Sequence, residues 1–128
     1  MATFNIKITE ARQVEMPRNI EWGCVGESKI EKINFELPET INGTPADEFS
    51  KIVEFECADS GYKFSKDLYG CECEICNVIS KFRNLKAQVV LMKLIDETTE
   101  EYIVWKSEMF NIHFDESINA TEKIKMII

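Results

Sequence analysis

Ile33-Asn34-Phe35-Glu36-Leu37-Pro38, then Ile41-Asn42-Gly43, then Val53-Glu54-Phe55-Glu56-Cys57: these pieces of the stretch from Lys29 to Cys57 decide the fold class. Ile33, Phe35 and Leu37 fall on one side of a strand, and Asn34 and Glu36 on the other. After the turn, Val53, Phe55 and Cys57 repeat the pattern against Glu54 and Glu56. A period of two belongs to half-buried strands of a sheet with one wet face. Pro38, Asn42-Gly43 and Pro45 mark the sharp turn between them, because Asn and Gly accept the positive φ that tight turns need. Lys51 to Cys57 is therefore expected as the partner of Lys29 to Leu37.

Working outward, nearly every readable segment is a strand. Phe4, Ile6 and Ile8 alternate with Asn5, Lys7 and Thr9, whereas residues 10–18 are polar and read as a connection. Ile20 to Val25 is a short strand candidate, with Gly23 and Gly26 as signs of a bulge or early turn. Ser60-Gly61 and Leu68-Tyr69-Gly70 are turns around Tyr62-Lys63-Phe64. Cys71, Cys73 and Ile75 alternate with Glu72 and Glu74, so a strand is expected through Ile79, followed by a loop or one helical turn. Gln88 to Ile95 is apolar on both sides, the mark of a central strand covered on both faces. Asp96 to Glu100 is an acidic hairpin loop, Glu101 to Lys106 returns from it, and Phe110, Ile112 and Phe114 form the last clear strand.

About eight or nine short strands with no long helical pattern predict an all-β fold, a two-sheet antiparallel β-sandwich. A closed barrel has a similar sequence pattern, but the mix of alternating strands with one apolar central strand favours the sandwich. The 128 residues suit a single domain over 1–128, with 118–128 a terminal strand or an interaction tail. Hydrophobic residues make up 45% of the chain and eight are Phe, so a packed core needs no staples.

The formal net charge of −8 repels phosphate backbones and anionic lipid, which argues against nucleic acid and membrane as partners. No apolar run is long enough to cross a bilayer as a helix, and Met1 to Lys7 lacks the apolar core of a signal peptide. The expectation is a chain made in a reducing cytoplasm. Its five cysteines, at 24, 57, 71, 73 and 76, form no regular framework and are expected as free thiols.

Motifs for catalysis are missing. There is no Gly-x-Ser-x-Gly elbow, phosphate-cradling loop or dinucleotide fingerprint, so no catalytic residue and no cofactor is expected. The single histidine, His113, alternates away from Phe110, Ile112 and Phe114 and reads as a solvated strand residue. Cys71, Cys73 and Cys76 are the one metal-like cluster, since Cys73-x-x-Cys76 has the spacing of zinc ligands. On a strand, however, Cys76 faces away from the other two and no second ligand pair is near, so buried free cysteine is the commoner outcome. Trp105, in an apolar strand, is expected in the core; Trp22, between Glu21 and Gly23, is expected to be freer and exposed.

The order of these features resembles the N-terminal domain of the baseplate upper protein, found in virion structural proteins of phages and prophages of Gram-positive bacteria. The resemblance rests on Ile33 to Pro38, Ile41-Asn42-Gly43 and the strand through Phe55. It continues in Tyr102-Ile103-Val104-Trp105-Lys106-Ser107, Phe110-Asn111-Ile112-His113-Phe114 and Ser117-Ile118-Asn119-Ala120. It spans about Cys24 to Thr121 and implies a β-sandwich that joins neighbouring proteins in a tail or baseplate. Receptor-binding parts often follow that domain, and here none is expected, since the sequence runs only to Ile128.

The resulting expectation is a non-enzymatic phage or prophage assembly module. Its partners would be other virion proteins and further copies of itself, and its location the virion, after the host cytoplasm. Candidate interface residues are Ile124, Met126, Ile127 and Ile128 in the apolar tail, and Trp22. A tail that simply completes the sandwich stands beside this. Two other classes remain: a carbohydrate-binding or adhesin-like sandwich, marked by an exposed aromatic pair, and a thiolate metal protein.

Overall fold

The computed structural model describes residues 1–116; the segment 118–128 and the tail residues Ile124, Met126, Ile127 and Ile128 lie outside the described residues. The fold is all-β. Its strands are β1 (Ala2–Ile8), β2 (Val14–Glu15), β3 (Glu31–Glu36), β4 (Thr40–Ile41), β5 (Thr44–Pro45) and β6 (Ser50–Cys57). They continue as β7 (Lys63–Asp67), β8 (Glu72–Glu74), β9 (Asn84–Asp96), β10 (Glu101–Lys106) and β11 (Phe110–His113), with one helical turn, α1 (Asn77–Ser80), after β8. One sheet has the order β2-β1-β3-β8 and the other β10-β9-β6-β7, with β11 also beside β9.

The two sheets share one core. Ile6, Ile33 and Phe35 from the first sheet meet Val53, Phe55 and Leu91 from the second in a single buried cluster. The rings of Phe35 and Phe110 lie 6.1 Å apart within it. Burial of this apolar surface is the main term holding the layers together.

The alternation around the deciding turn reports faces correctly but not neighbours. Ile33 and Phe35 are buried, as are Val53, Phe55 and Cys57. Yet β3 and β6 are not partners: β3 pairs with β1 and β8, and β6 with β7 and β9. Segment 37–49 carries the chain from one layer to the other. At its centre β4 and β5 form a small hairpin, whose turn residues Asn42 and Gly43 have φ of 49° and 82°. Positive φ at both central positions is the turn that matches strand twist.

One pairing and two strand extents differ from expectation. β1 and β3 run parallel, from Ala2 opposite Glu31 to Lys7 opposite Glu36. Parallel neighbours need a long crossover, which segment 9–30 supplies. Cys71 to Ile79 is not one strand, because β8 stops at Glu74 and Cys76 already opens α1. Ile20 to Val25 makes no strand either; Cys24 only bridges to Asp115, between two glycines of positive φ.

β9 is the spine of the second sheet. It is 13 residues long, with β6 along one side, and β10 and β11 sharing the other. Leu85, Ala87, Val89 and Leu91 point into the core. Cover on both faces, which the apolar run to Ile95 predicts, ends sooner. Val90 is buried, Met92 is half-buried, and Leu94 and Ile95 are exposed, because the β9–β10 hairpin runs out beyond the packed layer.

Candidate interaction surface

Residues directly opposite each other in neighbouring strands share a face, so the sheet register maps the outer surface. Tyr102 lies opposite Leu94, Val104 opposite Met92, and Lys106 opposite Val90. On the other side of β9, Val90 lies opposite Ile52 and Gln88 opposite Glu54. The outer face therefore carries an apolar stripe across the hairpin, which turns polar past Lys106. Tyr102 is 54% exposed, Val104 51% and Leu94 40%, which is open for side chains of this size in one patch.

The stripe has charged borders. At the tip, Asp96, Glu97, Glu100 and Glu101 lie within six residues. The Asp96 carboxylate accepts the Thr98 amide at 2.9 Å, which fixes the turn. On the polar side Lys106 Nζ is 3.6 Å from Glu54 Oε2. Both side chains are nearly half exposed, so the pair sets local charge more than stability. Beyond it lies an open groove of about 510 Å³, walled by Glu54, Glu56, Lys63, Lys86 and Lys106.

The edge beside the stripe is also unusual. Among the described residues β10 pairs with β9 alone. The edges β2 and β8 have only two and three residues, and β7 carries Lys63, Lys66 and Asp67. Shortness and charge protect edge strands from unwanted pairing. β10 has neither defence, since Tyr102-Ile103-Val104-Trp105 runs uncharged between Glu101 and Lys106.

A bulge defines the far end of this edge. Ser107 N donates to the Val89 carbonyl at 3.0 Å, and Val89 N donates to the Ser107 hydroxyl oxygen at 3.1 Å. The hydroxyl in turn donates to the Glu108 carbonyl. Glu108 then leaves the sheet: its N–H donates to the Arg12 carbonyl, and its carboxylate accepts the Val14 amide at 2.7 Å. The edge strand is thus interrupted, resumes as β11, and is tied to the opposite layer at the break.

The residues singled out from sequence fall elsewhere. Trp22 is not exposed: it is 6% accessible, and its ring meets Phe4 edge-on at 5.0 Å. Gly23, with φ of 96°, turns the crossover so that the indole covers the end of the first sheet, which removes Trp22 as an interface residue. Trp105 is in the core as expected. His113 is on the solvent side, with Nδ1 2.6 Å from Asn84 Oδ1.

All five cysteines are free. Cys73 is buried opposite Ile33, while Cys71 and Cys76 are half-buried. Burial first, then the neighbouring Cys76, pushes the Cys73 thiol up to about 11. Cys57 shifts the other way, lowered by the Ser60 side chain and then by backbone N–H groups of Ser60 and Asp59. Among the described residues no three His, Cys, Asp or Glu side chains gather as a metal site.

Leu94, Tyr102 and Val104 were not visible as site residues in the sequence. Their signal was present: β10 alternates two apolar sets, and an acidic loop directly follows the apolar end of β9. No protein-family model matches the chain, and no curated protein matches it. Among the described residues no helix is long and apolar enough to cross a membrane.

Proposed function

We propose that the chain is a non-enzymatic assembly module of a phage or prophage tail or baseplate, working through protein–protein contact. The observation that supports this is the exposed Leu94–Tyr102–Val104 stripe lying beside the undefended edge of β10. Exposed apolar patches rimmed by charge mark contact surfaces, and a free edge offers backbone hydrogen bonds to an added strand. The resemblance of Ile33 to Pro38 and Tyr102 to Ala120 to the baseplate domain gives the reading its biological setting. Its partners are then other virion proteins and further copies, and its place is the virion.

Sedimentation over micromolar to millimolar concentration, with pull-down from induced lysogens, tests this. Concentration-dependent oligomers or capture of a tail protein are expected. A monomer throughout, with no tail protein captured, overturns the proposal.

One observation favours a second reading, a carbohydrate-binding surface. Tyr62 is 55% exposed, with its ring centre 5.9 Å from Phe64 and 5.6 Å from Phe82. Sugar rings stack on such faces through their C–H groups. Binders on a glycan array that are lost in Tyr62→Ala support it, and an array with no binder removes it.

A further inference from the structure

The open backbone of β10 has a definite phase. Ser107 N donates to the Val89 carbonyl, so the alternation of an antiparallel ladder makes Trp105 with Leu91 and Ile103 with Lys93 the hydrogen-bonded pairs. Tyr102, Val104 and Lys106 lie between them, and their N–H and C=O groups point away from β9. Among the described residues no other strand takes up these groups. The side chains of the same residues stand on the outer face.

A second β10 laid antiparallel matches this phase. A two-fold axis perpendicular to the sheet keeps outer face beside outer face, so Tyr102, Val104 and Lys106 pair among themselves. Centring the pair on Val104 uses them all: Val104 lies opposite Val104 of the other copy, and Tyr102 opposite Lys106 on either side. Two bonds for each opposed pair give about six backbone hydrogen bonds. A centre on Ile103 would need Glu100 opposite Lys106, and Glu100, with φ of 55°, has left the extended strand.

Charge favours the same arrangement. β10 begins at Glu101 and ends at Lys106, so antiparallel pairing lays the acidic start of each copy beside the basic end of the other. The Lys106 stem covers the Tyr102 ring across the joint, and its ammonium reaches toward the neighbouring Glu101. Glu108 is turned away from the joint, its carboxylate held by the Val14 amide at 2.7 Å. We propose that two copies of this chain join β10 to β10, antiparallel and centred on Val104, so that the β10-β9-β6-β7 sheet continues across a two-fold axis. This rests on the assembly reading and names its partner and register.

Three measurements on the full chain test the proposal. Sedimentation of Lys106→Glu and of Glu101→Lys, each with an unchanged circular dichroism spectrum, is expected to show dimerisation weakened about tenfold, and the Glu101→Lys/Lys106→Glu double variant to regain it. Val104→Cys, with ¹⁵N-labelled and unlabelled copies mixed in a glutathione buffer, is expected to give a heavy–light disulfide joining position 104 to position 104. The facing Cα atoms of such a pair lie about 5.5 Å apart, within disulfide range. Hydrogen exchange at the Tyr102, Val104 and Lys106 amides is expected to be fast in the dilute monomer and slow in the dimer. Slow exchange in the dilute monomer means that the chain covers its own edge, which overturns the proposal. Oligomers that lack the 104–104 link, or that ignore both charge reversals, overturn it while leaving assembly standing. A monomer at every concentration overturns it as well; capture of a tail protein then keeps the assembly reading, and no capture removes both.

Discussion

The buried amide of Val89 is satisfied by a side chain, the Ser107 hydroxyl at 3.1 Å, where a regular ladder would supply a backbone carbonyl. The Ser107 amide answers on the Val89 carbonyl at 3.0 Å. Ser107 is fully enclosed and Val89 has no exposure, so water has no access to replace either bond. This exchange lets β10 end and β11 begin along one edge without leaving an orphan donor in the core.

Ser107→Ala leaves that donor unpaired. The expected loss is about 1–3 kcal/mol of stability. Urea unfolding measures it, and hydrogen exchange at the Val89 amide should rise with it. A variant as stable as the parent would mean the hydroxyl is dispensable.

Surface substitutions on the outer stripe should behave differently. Val104→Lys removes apolar contact area without touching the core, so stability should stay within about 0.5 kcal/mol. Self-association in sedimentation should weaken. An unchanged oligomer with unchanged stability would take Val104 out of the contact.

Glycines at two turns make a matched comparison. A Cβ at Gly43 meets nothing within 4 Å, so Gly43→Ala pays only for φ of 82°, about 1 kcal/mol. At Gly23 a Cβ lies 3.0 Å from Glu27 Oε1, the oxygen that caps the Cys24 amide at 2.7 Å. Gly23→Ala should therefore cost more than Gly43→Ala, as read from urea midpoints at constant slope.

The Cys73 thiol predicts an alkaline loss of stability. Its folded value, about 11, lies above the ordinary 9.0, so the folded state keeps a proton that the unfolded chain releases. This contribution is fully present below pH 9, falls as pH rises, and is gone near pH 11. A shift of this size corresponds to about 2–3 kcal/mol. Cys73→Val should flatten this part of the stability–pH curve, and thiol reagents at neutral pH should label Cys73 slowly.

The fold class was legible because Ile33 and Phe35, like Val53 and Phe55, report a buried face through simple alternation. Pairing was not legible. Period two states which side of a strand is wet, and it is blind to whether the next strand lies beside it or across the core. β3 and β6 met across the core, and β1 found β3 in parallel through a crossover with no periodic signature. The contact surface was hidden for a related reason. An apolar residue such as Leu94 looks the same in sequence under a cover or past its limit. Trp22 shows the converse, since polar flanks do not reveal that Gly23 folds the indole inward.

The break at Ser107 also acts as a ruler. A strand laid along β10 loses its backbone partner after Lys106, because Glu108 has already turned toward Arg12 and Val14 in the other layer. Any such joint is limited to the six residues of β10, enough for a handful of hydrogen bonds and two or three side-chain anchors. A contact that short opens and closes readily on its own. Its strength in a closed ring would come from repetition, where releasing one joint leaves the others holding its ends together.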